Sequence, residues 1–179
     1  MTTTTTANGW DALAQRLDNV KKPVQAFHLC DDVAVRDRYL TAKQEAEQAD
    51  AYLKALAKDT DTEARALVEK QAKDAKAELA AAQKAYDAHT VTLRFTALER
   101  QQLEQLQNLH PASEEDEAKG NDFAFDEFAP ALISAASLDG MPVDAARRYL
   151  DTWTPADAMA LWRAAWNIQH QQRTDLGKG

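Results

Sequence analysis

The run FHLCDD sets His28, Cys30, Asp31 and Asp32 within five residues of one another. A thiol beside an imidazole is the pairing from which a cysteine nucleophile is made, provided that a third group orients the ring. The residues around them decide what that pairing is worth. VQAFHLC, from Val24 to Cys30, is rich in β-branched, aromatic and apolar residues and is too short for a stable helix, so it reads as a strand. His28 and Cys30 then share one face of it, but no orienting third group is identifiable, and residue types this close in sequence often meet by chance. The plainer reading is a half-buried strand followed by Asp31 or Asp32 capping a helix. A small hydrolase built on Cys30 and His28 would need activity that disappears in Cys30→Ala.

Other chemistry has less to stand on. His89, His110 and His170 fall in no ligand spacing, and HExxH, GxGxxG, GxxxxGK[ST], CxxC and GxSxG are all absent. Glu114, Glu115, Asp116 and Glu117 lack the alternating ligands and placed glycine of an ordered calcium loop, so they read as a solvated acidic loop. No catalytic residue, metal or cofactor is expected. Net charge of -8 and pI near 5.0 repel a phosphate backbone or an anionic lipid surface, and the 21 Lys and Arg are scattered among acids. Nucleic acid and membrane are therefore poor partners. A single cysteine excludes an internal disulfide and fits a reducing cytoplasm. No signal-peptide pattern or membrane-length apolar run is present, which adds to the expectation of a soluble protein.

Few helix breakers, five Gly and five Pro in 179 residues, point to a mainly helical fold. The threonine run Thr2 to Thr6 is expected to be disordered, and an amphipathic turn through Trp10, Leu13 and Leu17 follows it, ended by Lys21, Lys22 and Pro23. TVTLRF, from Thr90 to Phe95, alternates apolar and polar residues with the period of a half-buried strand.

Between the two strands, apolar positions follow a heptad: Val35, Tyr39, Ala42, Ala46, Ala49, Leu53 and Leu56, then Val68, Ala72, Ala75, Leu79, Ala82 and Tyr86. Facing residues of an antiparallel hairpin must have numbers that add to a near-constant value. Pairing Leu56 with Val68, Leu53 with Ala72, Ala49 with Ala75, Ala46 with Leu79, Ala42 with Ala82 and Tyr39 with Tyr86 gives 124 or 125 at every layer. This predicts a long antiparallel helical hairpin inserted between two short antiparallel strands, with arms of about 38 Å at 1.5 Å per residue. Thr60 with Glu63 is the expected capping box of the second arm.

TALE, from Thr96 to Glu99, is a further box opening a helix through Leu103, Leu106 and Leu109, which His110 and Pro111 end. An aperiodic acidic stretch from Ser113 to Asp122 should be a loop. Three helices complete a C-terminal bundle of about four. The first starts near Phe125 to Pro130 and stops at Asp139 and Gly140, with Pro130 required in its first turn. The second carries Val143, Ala146, Leu150 and Trp153; the third is capped by Thr154 with Pro155 at its first position and carries Met159, Trp162, Ala165, Trp166 and Ile168. The implied divisions are an N-terminal tail over residues 1–23, strand–hairpin–strand over 24–95, a helical subdomain over 96–170 with an acidic loop at 111–124, and a flexible tail over 171–179. Phe123, Phe125, Phe128, Leu132, Trp153, Trp162 and Trp166 mostly form its core, and those in excess of what it buries form a partner-docking patch.

In this order the parts resemble the tail assembly chaperones of long-tailed phages of actinobacteria. The resemblance is carried by LCDD, VTLRFTALERQQLEQLQNLHPASEED, FDEFAPALISAAS and MPVDAARRYLDTWTPADAMALWRAAWNIQ, and covers Val24 to Gln169. The chain departs from the family at Gly140-Met141-Pro142 and in its threonine run. The resemblance implies a non-enzymatic protein of the infected host's cytoplasm, the short form of a pair whose longer form arises by frameshift. Its implied partners are the tape measure protein, which it keeps soluble, the tail tube protein, which it recruits, and the longer form; self-association is left open. A structural minor tail or adaptor protein retained in the virion is the alternative.

Overall fold

The computed structural model describes residues 9–56, 61–118, 120 and 122–172. The threonine run, Thr60 and most of the C-terminal tail lie outside these residues. The described chain is mainly helical, with a long helical pair, two antiparallel strands and short C-terminal helices. In order these are α1 (Gly9–Asp18), β1 (Val24–Cys30), α2 (Val33–Ala55), α3 (Thr62–Ala88), β2 (Thr90–Thr96), α4 (Arg100–Leu109), α5 (Glu114–Ala118), α6 (Phe125–Ala136), α7 (Val143–Thr152) and α8 (Pro155–Asn167), then a 3-10 turn over Ile168–His170. Two compact units result, residues 28–92 and residues 1–27 with 93–179. The paired strands β1 and β2 run through both.

In the unit of residues 28–92, Asp32 caps α2, its Oδ1 accepting from the Val35 N–H at 3.1 Å. Asp31 instead pairs with His89, whose backbone carbonyl takes the Asp31 N–H at 2.9 Å. All thirteen heptad residues are buried or half-buried. Ala42, Ala46, Ala72 and Ala82 are the buried ones, because only a methyl group fits where two helices approach this closely. Tyr39 stacks on Tyr86 with ring centroids 4.6 Å apart, which fixes the register at the base. Farther out, Asp50 bridges the arms to Lys76 at 2.9 Å and reaches Lys54 on its own helix. Two arms of 23 and 27 residues are thus held by one alanine-rich seam and polar flanks. The cap of α3 is Asp61, which accepts from the Ala64 N–H at 3.3 Å; the expected Thr60–Glu63 box includes Thr60, which lies outside the described residues.

In the other unit α6 is the centre. Phe128, Ala129, Pro130, Leu132, Ile133 and Ala136 are all buried, so apolar residues occupy most of its circumference, and α4, α7 and α8 pack around it. Phe95 of β2, Leu161 and Ile168 complete the core. The turn after α6 lies against β2: Ser137 bridges to Phe95, Leu138 N–H donates to the Arg94 carbonyl at 2.8 Å, and Gly140 takes the left-handed conformation (φ 72°) that lets the chain leave for α7.

Three local expectations fail for identifiable reasons. α4 begins at Arg100 with Glu99 as cap, and Gln102 Oε1 accepts from the Glu99 N–H at 3.1 Å; Thr96 stays in β2, its hydroxyl donating to the Pro23 carbonyl. The acidic stretch is partly helical, because Ser113 and Asp116 form a reciprocal S-x-x-D box (3.1 and 3.2 Å) that starts α5. Pro130 lies in the interior of α6 rather than in its first turn, where its ring helps fill the core.

Candidate functional site

The sequence-derived cysteine–histidine pairing does not assemble. Cys30 Sγ donates to the Asp32 carbonyl at 3.3 Å, whereas His28 Nδ1 pairs with Thr92 Oγ1 at 2.9 Å, so each group is turned to a local partner of its own. Among the described residues no group of three His, Cys, Asp or Glu side chains is placed to hold a metal ion. No helix among them is long and apolar enough to cross a membrane.

The aromatic residues do assemble. Phe123 meets Phe128 at 4.2 Å and Trp166 at 5.4 Å; Phe125 and Trp162 meet edge to face (5.1 Å, 75°); Trp162 and Trp166 stack at 5.2 Å. Edge-to-face and offset geometries of this kind match the ring quadrupoles and add to the burial that holds α6 on α8. Phe128, Leu132 and Trp162 are buried core and are closed to a partner. Phe123, Phe125 and Trp166 are half-buried at the edge of the same cluster. Trp153 stands apart, stacked on Tyr149 (4.7 Å) and Phe27 (6.2 Å), with the Arg148 guanidinium over the Tyr149 ring at 5.0 Å.

Where the cluster reaches the surface, it opens into a cleft of about 420 Å³ lined by Phe125, Leu150, Pro155, Ala158 and Met159, with Asp126, Arg147 and Asp151 around it. Pro130, buried in α6, leaves a backbone carbonyl free at the rim of this cleft. Proline has no N–H, so the Asp126 carbonyl one turn earlier lacks its helical donor. The Arg147 guanidinium faces that carbonyl at 3.5 Å and is thereby held at the mouth. An apolar floor with a mixed-charge rim suits a large apolar side chain carried on a polar backbone. No family model, curated protein or solved structure matches the chain.

A second apolar surface lies on α1. Trp10, Leu13 and Leu17 form one stripe and are 62%, 51% and 60% exposed. Their spacing of three and four residues announces an amphipathic helix in the sequence, but nothing there tells whether a partner within the chain covers it. The sequence marks Met159 only as an apolar position of its helix: the spacing matches that of core residues, and only packing left it 39% exposed. The charged rim had no signal at all, since Asp126, Arg147 and Asp151 lie on two helices whose juxtaposition is tertiary.

Proposed function

We propose that this chain is a tail assembly chaperone of a long-tailed phage, a non-enzymatic protein that binds apolar stripes of the helical tape measure protein, keeps it dispersed and helps recruit tail tube subunits in the host cytoplasm. The cleft beside Phe125 carries the binding half of this reading: it is an apolar site with a charged border on a strongly acidic chain. A helical client laid on such a site buries its anchors at intervals of three and four residues, and α1 offers a second stripe of the same kind. The net charge of -8 gives the complex the self-repulsion that opposes aggregation. The phage assignment itself, with its tail tube partner and frameshifted longer form, rests on the sequence resemblance from Val24 to Gln169.

Co-expression with the phage's tape measure protein tests it. The wild-type chain is expected to raise the soluble fraction of the tape measure protein and to co-purify with it. Met159→Asp, which places a charge in the exposed cleft without touching the buried core, should weaken both effects. Equal capture by a folded Met159→Asp chain would remove the cleft from the reading, and no capture by the wild type would end it. Stoichiometric recovery of the chain from purified virions would favour a structural tail component instead.

A further inference from the structure

A two-stranded sheet has two outer edges, and here they are treated differently. In an antiparallel pair alternate residues turn their N–H and C=O groups toward the partner strand, and the residues between them turn theirs outward. On β2 the outward residue Arg94 is fully engaged: its N–H donates to Asp139 Oδ2 at 2.7 Å, and its carbonyl accepts from Leu138. The second edge belongs to β1. His28 stands opposite Thr92, two residues before Arg94 on β2, so the backbone groups of His28 and of Ala26 face outward. Among the described residues, the partner found there is the Gln25 amide, which donates to the Ala26 carbonyl at 3.0 Å.

Exposed strand edges are ordinarily blunted by lysine, proline, a bulge or a covering segment. VQAFHLC has no proline and no charged residue over its seven positions, in a chain with 50 Asp, Glu, Lys and Arg (21 basic and 29 acidic) among 179 residues. We propose that the outer edge of β1 is a strand-addition site whose occupant is β1 of a second copy of this chain, paired antiparallel about a two-fold axis at Phe27.

The strand is suited to pair with itself. A two-fold axis at Phe27 sets Ala26 opposite His28 of the second copy and Val24 opposite Cys30, so every outward backbone group meets an outward one. It keeps Phe27 and Leu29 of both copies on the sheet face that carries Leu93 and Phe95, because the side-chain alternation passes unbroken across the new pair. A register displaced by one residue would set outward groups against inward ones and lose the ladder. Self-pairing also brings two acidic chains together along a segment that carries no charge, where mutual repulsion is least. The contact is isologous and closes at two copies.

Sedimentation of the full chain from micromolar to millimolar concentration is expected to show a monomer–dimer equilibrium, and a monomer throughout would overturn the proposal. Ala26→Pro removes one outward N–H and leaves the inward ladder to β2 intact, so a chain with unchanged far-UV circular dichroism should be monomeric at every concentration. A folded Ala26→Pro dimer would overturn the proposal as well. Should that variant not fold, residue-resolved amide exchange of the wild type decides: the Ala26 and His28 amides should exchange about tenfold or more slowly in concentrated than in dilute solution. Equal exchange at both concentrations would count against self-pairing at this edge.

Discussion

Arg94 and Asp139, 45 residues apart, are joined three times: the Arg94 N–H donates to Asp139 Oδ2 at 2.7 Å, and Nε and Nη2 donate to Oδ1 at 3.2 and 2.7 Å. The contact clamps the turn after α6 to the edge of β2. It uses both the charge and the fork geometry that arginine alone provides.

Asp139→Ala removes all three hydrogen bonds and is expected to lower the melting temperature at neutral pH. The guanidinium and backbone N–H of Arg94 hold the Asp139 carboxyl below its ordinary value, and Asp139 in turn raises that of Arg94. A carboxylate depressed in the folded state stabilises above its unfolded value of about 3.9 and stops doing so as pH falls through the folded one. The melting-temperature gap between wild type and Asp139→Ala should therefore be constant near neutrality and shrink below about pH 4, as followed by thermal denaturation.

Asp50 offers a test of the hairpin register by titration. Hydrogen bonds from Lys54 and then Lys76 bring its carboxyl down to about 2. Lys76 does so from the opposite helix. Lys76→Ala is therefore expected to raise the Asp50 midpoint measured by carboxyl NMR, and Lys54→Ala to raise it more. An Asp50 midpoint indifferent to Lys76→Ala would contradict the register.

Ala82, fully buried in the seam, has no room to grow. Ala82→Leu should cost about 1–3 kcal/mol in urea denaturation through overpacking of the seam. Ala77→Leu, at an exposed position of the same helix, should stay within about 0.5 kcal/mol of wild type and serves as the control.

Phe128 separates core from surface in the aromatic cluster. Phe128→Ala should cost about 3–5 kcal/mol, because the ring is fully buried against Phe123, Trp162 and Trp166. Met159→Asp, in the open cleft, should change stability far less while weakening client capture. A reversal of this order would show that the cleft closes in solution.

The hairpin was legible in the sequence because its information is local and redundant. A heptad repeats along each arm, and the pairing of the arms is constrained by residue number alone, so the sequence itself sets Tyr39 opposite Tyr86, as they stand in the fold. The Thr154 cap was legible too, and the Asp32 cap to within one residue, since a capping oxygen and the N–H that donates to it lie within three residues. Tertiary structure decided what depends on which surfaces meet. Helical spacing marks Phe128, Phe125 and Met159 alike as apolar, but only packing sorts them into buried, half-buried and exposed, because burial is set by neighbouring helices rather than by the chain that bears the residue. The same holds for Pro130, tolerated inside α6 where its ring fills core space and Arg147 faces the carbonyl it leaves free, and for Asp139, whose partner is 45 residues away. Periodicity is a property of one segment, whereas exposure and ion pairing belong to two, and a single sequence records only the first directly.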